Sequence, residues 1–188
     1  MTPYFRIIGL GEVLWDLFPD GDHFGGAPAN MACTAAGLLG PSGVVKLISA
    51  LGDDSRGRKA IDFLEQRHVD ISEMQITEAP TGSVTIQLDD SGQPLFNISG
   101  NSAWDHIAWS EHLRPLTANV DAICFGSLAQ RGNTSRHTIQ KLVGTTPANA
   151  LKVFDMNLRP PFYEPDTLIQ SLRLANVLKL NEQELCVV

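Results

Sequence analysis

Ala27-Pro28-Ala29-Asn30-Met31-Ala32-Cys33-Thr34-Ala35-Ala36-Gly37-Leu38-Leu39, closed by Gly40-Pro41 and followed by Val44-Val45-Lys46-Leu47-Ile48-Ser49-Ala50-Leu51, decides the fold. The first run is rich in Ala and Leu and carries Pro28 in its first turn, where a missing N–H is tolerated. It stops at glycine and proline, so it predicts a helix over 27–39. The second run is almost continuously apolar, the pattern of a parallel strand covered on both faces. The same pattern recurs at residues 5–10, 121–125, 151–154 and 177–180. Helical stretches fall between these runs: residues 56–67, with Ala60, Ile61, Phe63 and Leu64 on one side, then 134–143 and 165–175. Strands alternating with helices predict an α/β, doubly wound sheet whose sites form beyond the carboxyl ends of its strands.

Two segments break this rhythm. Val84, Ile86 and Leu88 alternate with Thr85, Gln87 and Asp89, after which Asp90-Ser91-Gly92 turns the chain and residues 95–98 return. That is a hairpin with one apolar face, over about residues 82–99. Residues 13–18, the turn Pro19-Asp20-Gly21-Asp22 and His23-Phe24 predict a companion hairpin over about 13–24. Two hairpins interrupting an α/β core predict a flap over one end of it.

Composition narrows the function. With 188 residues, 43% hydrophobic and 19% charged, the chain can fill one core, which excludes a disordered chain or a small disulfide scaffold and predicts a soluble globular domain. Lys plus Arg number 14 against 21 Asp plus Glu, a net charge of −7, and no basic stripe gathers the positives, so nucleic acid is not an expected partner. Met1-Thr2-Pro3-Tyr4-Phe5-Arg6 shows no signal-peptide pattern and no apolar run is long enough to span a bilayer. The default expectation is a cytoplasmic protein with no membrane partner. Cys33, Cys124 and Cys186, in apolar or small-residue runs, are expected to be buried free thiols, and the five scattered histidines form no metal-ligand cluster.

The strongest local feature is Gly25-Gly26-Ala27-Pro28-Ala29-Asn30. Two glycines allow close approach to the backbone, the helix behind them presents unpaired N–H groups, and Asn30 adds a donor and an acceptor, which suits a polyhydroxylated ligand. The plainer alternative is a glycine turn that only caps a core helix. Asp16 is an acceptor for two neighbouring hydroxyls or, alternatively, a solvated turn carboxylate. Gly9-Leu10-Gly11-Glu12-Val13-Leu14 has leucine where the dinucleotide fingerprint needs its third glycine, and no Walker loop occurs. Phe154-Asp155-Met156-Asn157-Leu158-Arg159 and Leu178-Lys179-Leu180-Asn181-Glu182-Gln183-Glu184 each release polar residues at a strand's carboxyl end. Arg159 offers a planar fork for an anion or a hydroxyl pair. Asn181 and Glu184 offer a seat for hydrated Mg2+. Their alternatives are a helix cap and surface charges, and Asp155 reads as structural.

Taken in order, Gly11-Glu12 through Asp16, Gly25 through Asn30, Ala50-Leu51-Gly52-Asp53-Asp54, Pro80-Thr81-Gly82, Phe125 through Arg131, Phe154 through Tyr163 and Asn181-x-x-Glu184 resemble the ribokinase-like (PfkB) carbohydrate kinases, above all the fructokinase branch. The resemblance implies a ribokinase-like α/β sandwich with a small β-sheet lid and ATP-dependent transfer of a phosphoryl group to a sugar hydroxyl with Mg2+. It implies that Asp16, Gly25, Gly26 and Asn30 bind sugar hydroxyls, that Arg159 lies at the sugar or phosphate end of the cleft, and that Asn181 and Glu184 organise Mg2+ and phosphates through water. The family's catalytic aspartate stands in a Gly-Ala-Gly-Asp motif downstream of Asn-x-x-Glu. This sequence ends at Val188, and all 16 of its glycines lie at or before Gly144. Residues 1–188 are therefore expected to be the amino-terminal, sugar-binding part of such a domain, without the base and with an uncovered strand that favours association or poor stability. A non-catalytic sugar-binding module, homodimeric through its β lid, is the alternative.

Overall fold

The computed structural model describes residues 4–88 and 94–187. Its chain order begins with β1 (Phe5–Leu10), β2 (Leu14–Phe18), β3 (Gly21–Gly25), α1 (Ala27–Leu39), β4 (Gly43–Gly52), α2 (Ser55–Glu65) and β5 (Met74–Thr77). It continues through β6 (Gly82–Leu88), β7 (Pro94–Ile98), β8 (Ala122–Gly126), α3 (Asn133–Thr145), β9 (Leu151–Asp155), α4 (Pro165–Leu174), β10 (Val177–Lys179) and α5 (Glu182–Leu185).

Six strands in the order β10-β9-β8-β1-β4-β5 form a sheet in which every pair is parallel. Its two faces are buried separately. Along β4, Val45, Leu47 and Leu51 meet Ala29, Ala32 and Ala36 of α1 and Ala60 and Leu64 of α2. Ile48 and Ala50 point the other way, into a cluster with Ile123, Phe125, Phe154, Ile139 and Leu142 of α3, and Leu168 of α4. Each Val, Leu, Ile or Phe side chain buried this way contributes about 1.5–3 kcal/mol, which is why these strands carry apolar residues on both faces.

The expected helix over 27–39 is found end to end. The helix read over 56–67 starts one residue earlier, at Ser55, because Asp54 caps it by accepting from Gly57 N–H at 2.8 Å. Edge strand β5 and three 3-10 segments, Ala103–His106, Glu111–Thr117 and Leu128–Arg131, went unread in the sequence. The thiols differ from expectation: Cys124 is buried, but Cys33 is half-buried and Cys186 exposed, since Cys33 lies at the rim of its core layer and Cys186 follows the one-turn helix α5.

The two hairpins form a second sheet, β3-β2-β6-β7, joined in the middle by the parallel pair β2 and β6. Phe18 pairs with Gly21, so the first hairpin turns on Pro19 and Asp20 alone, tighter than the four-residue turn read from the sequence. The turn Asp90-Ser91-Gly92 lies outside the described residues. Trp15 and Phe24 of the lid pack on Phe63 of α2, with the two phenyl rings stacked at 4.2 Å and Trp15 Nε1 donating to Arg56 O at 3.1 Å. The other lid hairpin is tied at its base, where Asp54 accepts from Thr81 N–H at 2.8 Å and Thr81 Oγ1 from Gly52 N–H at 3.0 Å.

Candidate substrate site

After β1 the chain passes through the lid and α1 to β4 on one side, and later returns to place β8 on the other side of β1. At that switch point the carboxyl ends of neighbouring strands splay apart, the usual place for a ligand crevice. A cavity of about 730 Å³ lies there, under the lid and against the N-terminal end of α1. Strand β2 builds one wall by its period of two. Leu14, Asp16 and Phe18 face the cavity while Trp15 and Leu17 pack toward α2. Asp16 is therefore aimed inward by the same alternation that buries Trp15.

Gly26 and Asn30 form the second wall. Gly26 adopts φ +106°, and a Cβ there would overlap the Glu12 carbonyl oxygen, so glycine is required twice over. A Cβ on Gly25 would stand 2.8 Å from Asp16 Oδ2, so the missing side chain leaves that carboxylate open, although Gly25 itself does not line the cavity. Asn30 N–H closes the first helical turn on Gly26 O at 2.9 Å, leaving its exposed side chain at the cavity edge. Arg159, from the loop after β9, completes the far wall. Burial raises the pKa of Asp16, and the opposing charges of Arg159 and His23 restrain that rise.

Asp16, Gly26, Asn30 and Arg159 thus share one cavity, while Asn181 and Glu184 do not line it. Asn181 caps α5 by accepting from Glu184 N–H at 2.9 Å, and Glu184 Oε2 accepts from Asn181 N–H at 2.9 Å. Glu184 is no surface charge: it is 6% exposed, and its Oε1 accepts from Leu158 N–H at 2.7 Å. The pair pins the loop that carries Arg159. Each Glu184 oxygen keeps one further lone pair, which fits a hydrated Mg2+ held through water rather than directly. Among the described residues no three His, Cys, Asp or Glu side chains form a metal-binding group.

Sequence reasoning gave no cavity role to four of its titratable lining residues. Asp155 lines the cavity and pairs with Lys179, also a lining residue, at 2.8 Å. Cys124 lies at its floor, its thiol pushed up to about 12 by burial and by the charges of Asp155 and Glu12. Glu12 is 2% exposed, and its carboxyl is pushed up to about 7 chiefly by burial. Glu12 and Asp155 lie in stretches that carry the family resemblance, and Asp155 and Lys179 at the carboxyl end of a strand, but neither signal assigned them to the cavity.

A parallel sheet with a switch-point cavity, a glycine turn at a helix start and a second sheet over it has the architecture of a small-molecule site. The match to known proteins is specific. Residues 21–187 fit the pfkB family carbohydrate kinase pattern, and the chain belongs to that family. It is 33% identical to a fructokinase of Salmonella typhimurium over 94% of this chain, and 34% identical to one from Klebsiella pneumoniae over 96%. The crystal structure of a sugar kinase from Pyrococcus horikoshii in complex with ATP superposes with a TM-score of 0.80 at 27% identity, covering 97% of this chain and 65% of that one. The chain spans 60% and 61% of the length of the two fructokinases.

Proposed function

We propose that this chain is the sugar-binding portion of a fructokinase-like, ATP-dependent sugar kinase. The observation that carries the reading is the convergence of Asp16, Gly26, Asn30 and Arg159 on one cavity of about 730 Å³ beneath the lid, within the usual size of small-molecule sites. Asp16 accepts hydrogen bonds from two sugar hydroxyls, Asn30 offers both a donor and an acceptor, and the Gly25-Gly26 backbone lets the ring approach the helix start. Arg159 holds the end of the sugar where the phosphoryl group arrives. Asn181 and Glu184 organise Mg2+ and phosphates through water, and Mg2+ when bound neutralises charge on the transferring group. Among the described residues we assign neither the hydroxyl-deprotonating base nor the nucleotide cradle.

Isothermal titration of this chain with D-fructose, and separately with MgATP, tests the division of labour. Fructose binding is expected, and Asp16→Asn is expected to weaken it about 10- to 100-fold, since hydrogen bonds to a charged group contribute about 1.5–3 kcal/mol. Tight ATP binding by residues 1–188 refutes the map of the nucleotide half. For kinase chemistry, ADP release is measured on the whole reading frame that contains this chain, and no turnover with any hexose, nucleoside or sugar acid refutes it. The second reading is a non-catalytic sugar-binding module that pairs through its lid. It draws on Phe18 and Phe96, lid residues at the cavity that are nonetheless 41% and 61% exposed, and is favoured if fructose binds yet the whole reading frame is inactive.

A further inference from the structure

Glu12 leaves β1 beside Gly11 and is almost fully buried, yet it is among the residues that line the cavity. Its Oε1 accepts from Ala27 N–H at 3.1 Å, which ties β1 to the start of α1 directly behind the glycine turn. Its Oε2 is buried with no hydrogen-bond partner among the described residues. An unpaired buried acceptor costs roughly 1–3 kcal/mol, and more when charged, so a persistent one calls for a partner that arrives from outside. We propose that Glu12 is a specificity-determining residue of the cavity, its Oε1 holding the glycine turn and its Oε2 accepting a hydrogen bond from a hydroxyl of the bound polyol. The inference rests on the sugar-site reading above and deepens it.

The surroundings decide which protonation state does this. Asp16 on β2, Cys124 on β8, Asp155 on β9 and Lys179 on β10 line the same cavity, and Arg159 lies on the loop after β9. Lys179 neutralises Asp155, and Arg159 favours the charged forms of both Glu12 and Asp16. With its carboxyl pushed up to about 7, Glu12 in the free cavity is split between acid and carboxylate near neutral pH. An ionised acceptor forms the stronger bond with a hydroxyl, so the bound sugar selects the carboxylate and a proton leaves. Cys124, pushed up to about 12, stays protonated throughout. Linkage then makes the apparent affinity rise about tenfold between pH 6 and pH 8.

The test is isothermal titration of the chain with D-fructose at pH 6, 7 and 8, repeated at pH 7 in two buffers of different ionisation enthalpy, on the wild type and on Glu12→Gln. The glutamine keeps an oxygen for Ala27 N–H but sets an NH2 donor where Oε2 stood. The wild type is expected to bind about tenfold tighter at pH 8 than at pH 6 and to release about half a proton per sugar at pH 7. Glu12→Gln is expected to bind at least tenfold more weakly than the wild type at pH 8, with a flat profile that also rules out Asp16 as the source of the slope. Fructose binding without proton release overturns the inference alone, as does a glutamine variant that binds as tightly as the wild type at pH 8. The wild-type proton count stands whether or not the variant folds. Failure of the wild type to bind fructose at all overturns the sugar-site reading together with the inference.

Discussion

Replacing Glu12 with glutamine has a second consequence, in stability, that needs no ligand. The Glu12 carboxyl rises from its ordinary 4.5 to about 7, with burial the leading cause, opposed by the N–H of Ala27 and by Arg159 and reinforced by Asp155. Between pH 4.5 and about 7 the folded chain keeps a proton that the unfolded chain has released, so stability falls as pH rises through that window and levels off above it. The full loss is about 3 kcal/mol, at 1.36 kcal/mol for each step of one in pKa. Glutamine is neutral throughout and close in shape, so Glu12→Gln removes the decline. At roughly 2–4 °C for each kcal/mol in a domain of this size, the variant should melt about 6–12 °C above the wild type at pH 8 and together with it near pH 4.5. Circular dichroism melts at half-unit pH steps, without sugar, read this directly. Parallel melting curves for the two proteins across the whole range would refute the claim that Glu12 is a buried, neutral-leaning carboxyl.

Two further outcomes follow from backbone and side-chain geometry. Gly26→Ala must place a methyl group against the Glu12 carbonyl at φ +106°, so it should lose about 2 kcal/mol or more in a urea melt and bind fructose poorly, whereas a shift within error means the turn yields freely. Arg131 donates to both oxygens of Asp105, at 2.8 and 2.7 Å, and lies 4.0 Å from the Trp104 ring and 4.7 Å from that of Phe162. Arg131→Lys keeps the charge but loses the fork and the stacking, and should cost about 3 kcal/mol in the same assay.

Most of the α/β frame was legible because its strands are buried on both faces, which writes an unmistakable apolar run into the sequence. Gly43–Gly52 and Phe5–Leu10 were read nearly to the residue for that reason. Strand β5, Met74–Thr77, was not, since four residues at a sheet edge with partial burial leave no periodic trace. The 3-10 segments depend on tertiary bonds that local sequence does not announce, such as Ser135 Oγ accepting from Ile107 N–H at 2.8 Å across 28 residues. In the site, Asp16 and the glycine turn announced themselves by residue type. Glu12 did not, because nothing in Gly11-Glu12 says that the carboxyl folds inward. Glu184 was weighed as a surface charge, but it is buried and accepts from Leu158 N–H across a separation of 26 residues, a tertiary contact that local sequence does not announce.

Strand β2 explains why substrate geometry and lid stability are inseparable here. Its odd positions, Trp15 and Leu17, fasten the lid to the α2 side of the core, and its even positions, Leu14, Asp16 and Phe18, face the cavity. A slip of one residue in the pairing of Asp16 with Val84 on β6 would turn Asp16 into the aromatic cluster and Trp15 into the cavity. The stacked Phe24 and Phe63 rings, with Trp15 edge-on at 5.6 and 6.4 Å, oppose that slip, because they would have to give up their contacts together. The carboxylate is thus positioned by hydrophobic packing on the far side of its own strand.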